Sequence, residues 1–206
     1  MLNLDTALEF LPLELAYLNS LNNPTKLQQE SWSAYNNDAS MKSLKKEMKI
    51  RLLLIQNDKC VYCMKNIDTR THYDGDREHF ANKDRYPQYT FEPYNLLISC
   101  SDCNRPLKGT HNTISTFNSI YSNCEFNIVH PILDNVPDHI DFTDKVLIFA
   151  KTDKGLRTIE LFKLDHPYLY SERVRQSLYQ ERENQCNQII DDEIIDLINF
   201  AVNYHI

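Results

Sequence analysis

The apolar positions in the first quarter of the chain predict helical structure over residues 3–57, although those from Leu8 to Leu21 are too dense for a clean apolar stripe. Residues 3–57 are dense in leucine, and Pro12 indicates either a first helical turn or a break. Within this segment, residues 40–57 carry an apolar side chain at every fourth position, with lysines between. The periodic positions are Leu44, Met48 and Leu52. This spacing predicts an amphipathic helix that leads directly to Cys60.

The middle of the chain shows no single period. A polar stretch of turn-forming residues, 66–75, precedes a short segment that we expect to be a strand holding His79. A helix is predicted to begin after Asn104 and to reach about Ser122. This part of the chain is therefore expected to run through turn, strand and helix in succession.

The pattern changes again after residue 128. Two apolar-rich segments, 145–151 and 156–164, predict strands joined as a hairpin through residues 152–155. Pro167 is then expected to begin a long helix, because proline is favoured in a first helical turn. A separate final helix rich in isoleucine follows. Its apolar residues predict either packing against the rest of the chain or a docking surface for a partner.

Length and composition limit what these elements can build. With 206 residues, 42% of them hydrophobic, the chain can form one substantial core or a small core with an appended helical part. No apolar run reaches 18 residues, so no membrane span is expected. The chain has three glycines, too few for a glycine-rich phosphate loop. Its first residues lack a signal-peptide pattern, which predicts a cytoplasmic location with reduced thiols.

Charge is distributed unevenly along the chain. The net charge is −7, yet residues 41–110 contain 13 Lys and Arg against 9 Asp and Glu. The excess of acidic residues therefore lies outside this segment. Because affinity for nucleic acid comes mostly from Lys and Arg, the chain alone is predicted to bind nucleic acid weakly unless a partner or an oligomer helps.

Four of the six cysteines form two Cys-x-x-Cys pairs. The pairs are Cys60 with Cys63 and Cys100 with Cys103. A two-residue gap lets both thiolates of a pair face one ion, so the two pairs predict one tetrahedral, structural zinc site with no open position for water. Two disulfides are the alternative, and the expected reducing compartment disfavours them. Cys124 and Cys186 lie outside the pattern and are expected to be free thiols.

The 36 residues between Cys63 and Cys100 exceed the interval of an ordinary zinc ribbon. They include Glu78 next to His79, and Asn95. An imidazole suits activation of water near neutral pH, and a carboxylate suits binding of a metal ion that stabilises charge on a phosphate. The insert is therefore predicted to hold catalytic groups, although Glu78 and His79 could also be an ordinary surface carboxylate and a structural histidine.

The ordered set of Cys-x-x-Cys, acid-His, Asn-Leu, Cys-x-x-Cys-Asn and Lys resembles the zinc-containing branch of the HNH endonucleases, whose ββα-metal fold packs two strands and a helix around a catalytic metal. The resemblance covers about 50 residues. It implies that His79 is the general base, that Glu78 and Asn104 bind Mg²⁺ or Mn²⁺, that Asn95 orients His79, and that Lys108 contacts phosphate. This chain departs from the family pattern in two places. Lys108 follows Asn104 by four residues, where three is commoner. Glu78 precedes His79, where aspartate or histidine is commoner.

Further cations lie close to these positions in the sequence. Arg105 adjoins the second metal-ligand position, and Lys83 and Arg85 follow His79 within six residues. We expect them to contact the substrate backbone, although an ordinary solvated surface would carry the same residues. The resemblance implies that the substrate is nucleic acid, DNA in preference to RNA.

The resemblance implies an α+β protein: an N-terminal helical segment at 1–57, a ββα-metal nuclease core stapled by zinc at 58–122, and a C-terminal hairpin with helices at 123–206. The order of elements in the last segment also resembles HNH proteins of bacterial anti-phage operons, the Septu and retron-linked systems. Those nucleases work with an ABC-type ATPase subunit, which implies such a partner here. A stand-alone restriction-type nuclease and a non-catalytic zinc module that binds nucleic acid or protein remain the alternatives.

Overall fold

A computed structural model describes residues 1–21, 32, 38–70, 75–143 and 146–203, with the side chains of 183, 186–193 and 195–203 left out. Parts of the predicted N-terminal helical segment and of the turn-rich stretch 66–75 therefore lie outside the described residues. The α-helices are α1 (Pro12–Ser20), α2 (Ala39–Ile55), α3 (Val136–His139), α4 (Asp153–Phe162) and α5 (Pro167–Asn203). The strands are β1 (Asp76–His79), β2 (Leu96–Ser99), β3 (Ile114–Thr116), β4 (Glu125–Phe126), β5 (Ile140–Thr143) and β6 (Leu147–Ala150).

Helix α2 confirms the prediction made from its four-residue period. Its periodic residues are buried: Leu44, Met48 and Leu52. Asp38 caps the helix by accepting a hydrogen bond from the Met41 amide at 2.9 Å. Pro12 occupies the first turn of α1, which is one of the two positions predicted for it, the other being a helix break.

The first ten residues are not helical, contrary to the prediction for 3–57. They instead run along the core in an extended course, with the Leu2 amide bonded to the Val61 carbonyl at 2.9 Å and the Leu4 amide to the Pro131 carbonyl at 2.8 Å. Dense leucine was a poor helix signal here, because these backbone groups find partners in other segments.

Strands β1 and β2 pair antiparallel, with His79 opposite Leu96 and Glu78 opposite Leu97. Every residue of β2 is buried, because α2 packs against this strand. The Gln56 side chain at the end of α2 bonds to both the amide and the carbonyl of Ile98, each at 2.8 Å. This bond fixes the position of the β1–β2 hairpin relative to the helix that precedes the first cysteine pair.

The predicted helix from Asn104 to about Ser122 is wrong in its length. A short helical segment ends as a π-helical turn, Cys103–Lys108, which contains Pro106. The Gly109 amide donates to the Asn104 carbonyl at 2.9 Å, five residues back, and Gly109 has φ +46. This left-handed conformation ends the helix, and the chain continues into β3 and β4.

The predicted hairpin of 145–151 and 156–164 is wrong in its pairing, although the first segment contains a strand as predicted, β6. The hairpin that forms is β5 with β6, and the second segment belongs to helix α4. Thr152 caps α4 by accepting from the Gly155 amide at 3.1 Å, and Ile159 and Phe162 are buried. An amphipathic helical face therefore produced the apolar run that was interpreted as a strand.

The last two predicted helices are one continuous helix, α5, which begins at Pro167 as predicted. Its beginning packs against the core through Arg173, which donates to the carbonyls of Val146 and Leu164. Further along this helix, Val174 and Leu178 are 43% and 54% exposed. Within the described part of the chain, no helix has the length and apolar character needed to cross a bilayer.

Candidate functional site

The four cysteines predicted to bind zinc converge in one buried cluster. Their sulfur atoms all lie within 4.8 Å of one another, and the Sγ atoms of Cys63 and Cys100 are 3.7 Å apart. A tetrahedral ion with Zn–S bonds of about 2.3 Å separates its sulfurs by about 3.8 Å. The cluster therefore fits one zinc ion, and it joins the turn before β1 to the turn after β2.

The four thiols of the cluster are buried, and burial raises the pKa of Cys60. Binding of a metal requires thiolates, so a bound cation would displace the proton of this thiol. Cys124 lies outside the cluster, and its sulfur contacts the Tyr89 hydroxyl at 3.3 Å. Its exclusion from the metal site was therefore predicted correctly. The side chain of Cys186 lies outside the described residues.

His79, at the end of β1, is held by one backbone contact. Its Nε2 lies 3.0 Å from the Thr90 carbonyl. A carbonyl only accepts, so Nε2 carries the hydrogen and Nδ1 is left with its lone pair. The ring is 7% exposed and meets the Trp32 ring edge-on, with centroids 4.5 Å apart. Burial lowers the pKa of His79 to about 3, with the Thr90 carbonyl acting in the opposite direction.

Asn95 ties the loop of residues 81–90 to the start of β2. Its Oδ1 accepts from the Ala81 amide at 2.6 Å, and its Nδ2 donates to the carbonyls of Ala81 and Tyr89 at 3.2 and 2.8 Å. The side chain is fully buried. Because the loop ends at Thr90, these bonds also hold the carbonyl that orients His79.

Glu78 is buried beneath the other face of β1. Its carboxylate pairs with Lys108 Nζ at 2.5 Å and accepts from the Tyr62 hydroxyl at 3.3 Å. Lys108 Nζ also donates to the His79 carbonyl at 2.8 Å. Burial raises the pKa of Glu78, and the charge of Lys108 opposes that shift. Lys108 is therefore bound inside the protein and does not face open solvent.

Asn104 lies beside a second carboxylate. Its Nδ2 donates to Asp76 Oδ2 at 3.1 Å, and Arg105 makes two contacts with the same carboxylate at 3.1 and 3.2 Å. Asp76 and Glu78 share a face of β1, because residues two apart on a strand point the same way. With its nitrogen on Asp76, Asn104 keeps Oδ1 for another partner.

Lys83 and Arg85 lie on the loop that follows His79. Lys83 pairs with Asp84 at 2.7 Å, and its charge helps to lower the pKa of His79. Arg85 is exposed, with its guanidinium 5.9 Å from the centre of the Tyr86 ring. Lys83 is thus partly exposed and Arg85 exposed on the loop that follows the candidate base.

Several residues at this site were not predicted. Asp76 could have been found, because it precedes Glu78 by two positions in the same strand. The Thr90 carbonyl is a backbone group and leaves no sequence signal. The remaining contacts come from segments distant in sequence, so no spacing reveals them: Trp32, Tyr62, Tyr121 and His130.

The donor chemistry around β1 suits a hard divalent cation. The Glu78 and Asp76 carboxylates and the Asn104 amide supply oxygen atoms of the kind that Mg²⁺ and Mn²⁺ prefer. Lys108 and Arg105 now neutralise the two carboxylates. A cation bound at Glu78 would compete with Lys108 for the same oxygen, and displacement would free the ammonium group to meet a phosphate.

Two relatives found among known proteins carry the same name, Septu protein PtuB. The chain is 34% identical over 118 residues to a Septu protein PtuB of Bacillus thuringiensis, covering 57% of this chain and 41% of that protein. It is 29% identical over 203 residues to a Septu protein PtuB of Bacillus mycoides (strain KBAB4), covering 88% of this chain and 64% of that protein. The chain thus spans less than two thirds of the length of either relative. No protein-family model matches the chain. It is a mixed α/β protein with a buried four-cysteine cluster, similar in sequence to Septu PtuB proteins.

Proposed function

We propose that the protein is a metal-dependent endonuclease of the HNH type that hydrolyses phosphodiester bonds, with His79 as the general base. The hydrogen bond of His79 to the Thr90 carbonyl is the observation that carries this proposal. It leaves Nδ1 unprotonated, as acceptance of a proton from water requires. Asn95 would act by holding the loop that supplies this carbonyl.

The same proposal assigns the oxygen donors around β1. Glu78 and Asn104 would hold Mg²⁺ or Mn²⁺, which supplies stabilisation of charge on the phosphate and the leaving oxygen. Lys108, Arg105, Lys83 and Arg85 would contact the nucleic-acid backbone. Zinc at the four cysteines would be structural, and the β1–β2 hairpin with the short helix after Cys100 would form the ββα unit.

Access to His79 requires a rearrangement. The ring meets Trp32 edge-on and the residue is 7% exposed, so access of a phosphodiester to Nδ1 would require His79 to become more exposed. Displacement of the Trp32 ring would also raise the depressed pKa of His79, because burial is its main cause. Binding of substrate, metal or a partner protein would supply the energy for this change.

The Septu relatives support a place in anti-phage defence. We propose that the chain is the nuclease component of such a system, working in the cytoplasm with an ABC-type ATPase subunit and acting on DNA in preference to RNA. The net charge of −7 supports a need for the partner, because the chain alone offers few cations to a phosphate backbone. A stand-alone restriction-type nuclease would need no partner.

The test is cleavage of plasmid DNA and of a mixed RNA pool in Mg²⁺ or Mn²⁺, with His79→Ala beside the wild type and zinc measured on both. We expect cleavage by the wild type alone, at about one zinc per chain in each protein. The assay is run with and without the proposed ABC-type ATPase partner. Equal cleavage by both proteins would refute the role of His79.

A non-catalytic zinc module that binds nucleic acid or protein is the second candidate. The burial of His79 and of Lys108, which is 4% exposed, favours it. This reading predicts that His79→Ala leaves binding of nucleic acid or partner intact and that no condition gives cleavage. If the wild type nicks plasmid DNA and His79→Ala does not, the non-catalytic module is excluded.

A further inference from the structure

Behind Asn95 lies a chain of buried hydrogen bonds that the proposed reaction does not use directly. The Tyr121 hydroxyl is 3.0 Å from Asn95 Oδ1 and 3.2 Å from His130 Nε2. Tyr121 is 3% exposed, and His130 and Asn95 are fully buried. The chain therefore connects Asn95 to a segment 35 residues further along the sequence, isolated from solvent.

In each hydrogen bond of this chain, the donor and the acceptor can be assigned, beginning at His130. His130 Nδ1 lies 3.2 and 3.1 Å from the amides of Ile132 and Leu133, which can only donate. Nδ1 is therefore the acceptor, and Nε2 carries the hydrogen. His130 Nε2 can then donate to the Tyr121 oxygen and to the Tyr94 carbonyl, and it has no lone pair to accept with, so the hydroxyl hydrogen of Tyr121 is left for Asn95.

Asn95 is the acceptor in its bond with the Tyr121 hydroxyl, as this assignment requires. Both hydrogens of its amide are used on the carbonyls of Ala81 and Tyr89. Its Oδ1 is therefore the atom that faces Tyr121, and it accepts from both the Tyr121 hydroxyl and the Ala81 amide. With the hydroxyl in place, rotation of the amide by 180° would set an N–H group against a donor, so only one orientation is satisfied.

We propose that Tyr121 and His130 are positioning residues that lock the Asn95 amide and, through the loop 81–90, the Thr90 carbonyl that fixes the tautomer of His79. The inference rests on the proposed nuclease function for its effect on rate. The structural part of the inference is that these bonds fix the tautomer of His79. This part does not depend on whether the protein is a nuclease.

The segment that carries His130 is itself firmly held. The His130 amide donates to Asp134 Oδ2 at 2.7 Å, and the same oxygen of Asp134 pairs with Lys154 at 2.6 Å. The Val129 amide donates to the Thr158 hydroxyl at 2.8 Å. The ring of His130 also packs against Phe80, directly after His79, with centroids 4.3 Å apart. The support for the candidate base thus comes from the segment between β4 and α3 and from α4.

Two substitutions at His130 separate positioning from simple packing. In His130→Asn the side-chain oxygen can occupy the place of Nδ1 and accept from the loop amides, but no donor reaches Tyr121. In His130→Gln the side-chain nitrogen can occupy the place of Nε2 and donate to Tyr121, while the loop amides lose their acceptor. Tyr121→Phe removes the hydroxyl itself. Thr158→Val removes a buried hydroxyl that holds the Val129 amide and makes no bond to Tyr121 or Asn95, so it controls for a general loosening of the segment that carries His130.

The first readout is the His79 tautomer, observed through the ring ¹⁵N signals in long-range ¹H–¹⁵N NMR spectra at fixed pH. We expect the wild type, His130→Gln and Thr158→Val to hold hydrogen on Nε2, and Tyr121→Phe and His130→Asn to show a mixture of tautomers. Stability in urea should follow another order, with His130→Asn above His130→Gln. If the tautomer instead follows stability, or is unchanged in both Tyr121→Phe and His130→Asn, the positioning role is refuted.

The second readout is cleavage under the conditions in which the wild type is active. We expect Tyr121→Phe and His130→Asn to lower kcat by about 10- to 100-fold without changing KM, because the loss lies in alignment of the base. Should Tyr121→Phe fail to fold, the His130 pair carries the comparison. A tautomer that responds as expected in a protein without nuclease activity would uphold the lock and refute the proposed function.

Discussion

Lys108 supplies the positive charge that allows Glu78 to be buried beside the candidate base. The two side chains are each 2% exposed and 2.5 Å apart, and Lys108 also holds the His79 carbonyl. Removing one member of a buried ion pair leaves the other charge without compensation, which costs far more than losing an exposed pair. The same turn offers Arg105, whose pair with Asp76 is exposed on the arginine side, for comparison.

We expect Lys108→Met to lower the free energy of unfolding by about 3 kcal/mol, measured by urea denaturation at pH 7. Arg105→Met, the matched change in the same helical turn, should have little effect. The double variant Lys108→Met with Glu78→Gln should recover much of the loss, because no charge is then buried. Equal losses for the two single variants would contradict the buried-pair interpretation.

Acid sensitivity is the second prediction at the residue scale. Burial first, and then the charge of Lys154, lowers the pKa of His130 from 6.5 to about 3. The folded protein therefore keeps this ring neutral, while the unfolded chain takes up a proton below pH 6.5. Stability from this source is complete above that pH and declines as pH falls toward 3, by about 2 kcal/mol at pH 5.

His79 has a similarly low pKa, so unfolding of the wild type should take up nearly two protons at pH 5 from these rings. We expect His130→Asn to reduce that slope of stability against pH by about one proton. Urea denaturation between pH 4 and pH 7 measures it. A variant with the same slope as the wild type would show that His130 is protonated in the folded state.

At the scale of elements, a short apolar run does not distinguish a helix from a strand when the run is buried by packing against another segment. The run at 156–164 was expected to be a strand, but α4 uses it as one face of a helix, with Gly155 against the end of α3. The four-residue period of α2 was an unambiguous signal because polar lysines interrupt it. A short apolar run has no such interruption, and helix and strand then fit it equally well.

Gly155 tests the contact between α3 and α4. A Cβ at this position would lie 2.0 Å from the His139 carbonyl oxygen, a backbone atom that can yield only if one helix shifts. We expect Gly155→Ala to lower the free energy of unfolding by about 3 kcal/mol. Leu156→Ala, at a neighbouring residue that is 46% exposed, should cost about 1 kcal/mol or less. Thermal unfolding of both variants decides, and equal stability would show that the two helices are not in this contact.

At the scale of the whole molecule, the cysteine cluster is where several segments meet. Tyr62, between the first two cysteines, stacks on Phe162 of α4 with ring centroids 3.9 Å apart. The N-terminal segment bonds to Val61, and α2 holds β2 through Gln56. A metal at this point therefore fixes the relative positions of segments from both ends of the chain.

We expect Cys100→Ser to lose zinc and cooperative unfolding, because the metal contributes folding energy directly. Cys124→Ser changes a buried thiol outside the cluster and should retain about one zinc per chain. Metal analysis and near-UV circular dichroism on both proteins measure the outcome. Zinc content at the wild-type level in Cys100→Ser would remove this cysteine from the site.

The sequence by itself predicted the two Cys-x-x-Cys pairs and helix α2, because each depends on spacing within a short segment, and the ordered motif that resembles HNH endonucleases indicated most of the polar residues around β1. Only the tertiary structure decided that Lys108 faces inward to Glu78 and that the Asn95 amide meets Tyr121 and His130. These contacts join residues far apart in the chain. Their formation depends on which buried donors and acceptors can satisfy one another once the core has closed, and no local pattern of residues records that choice.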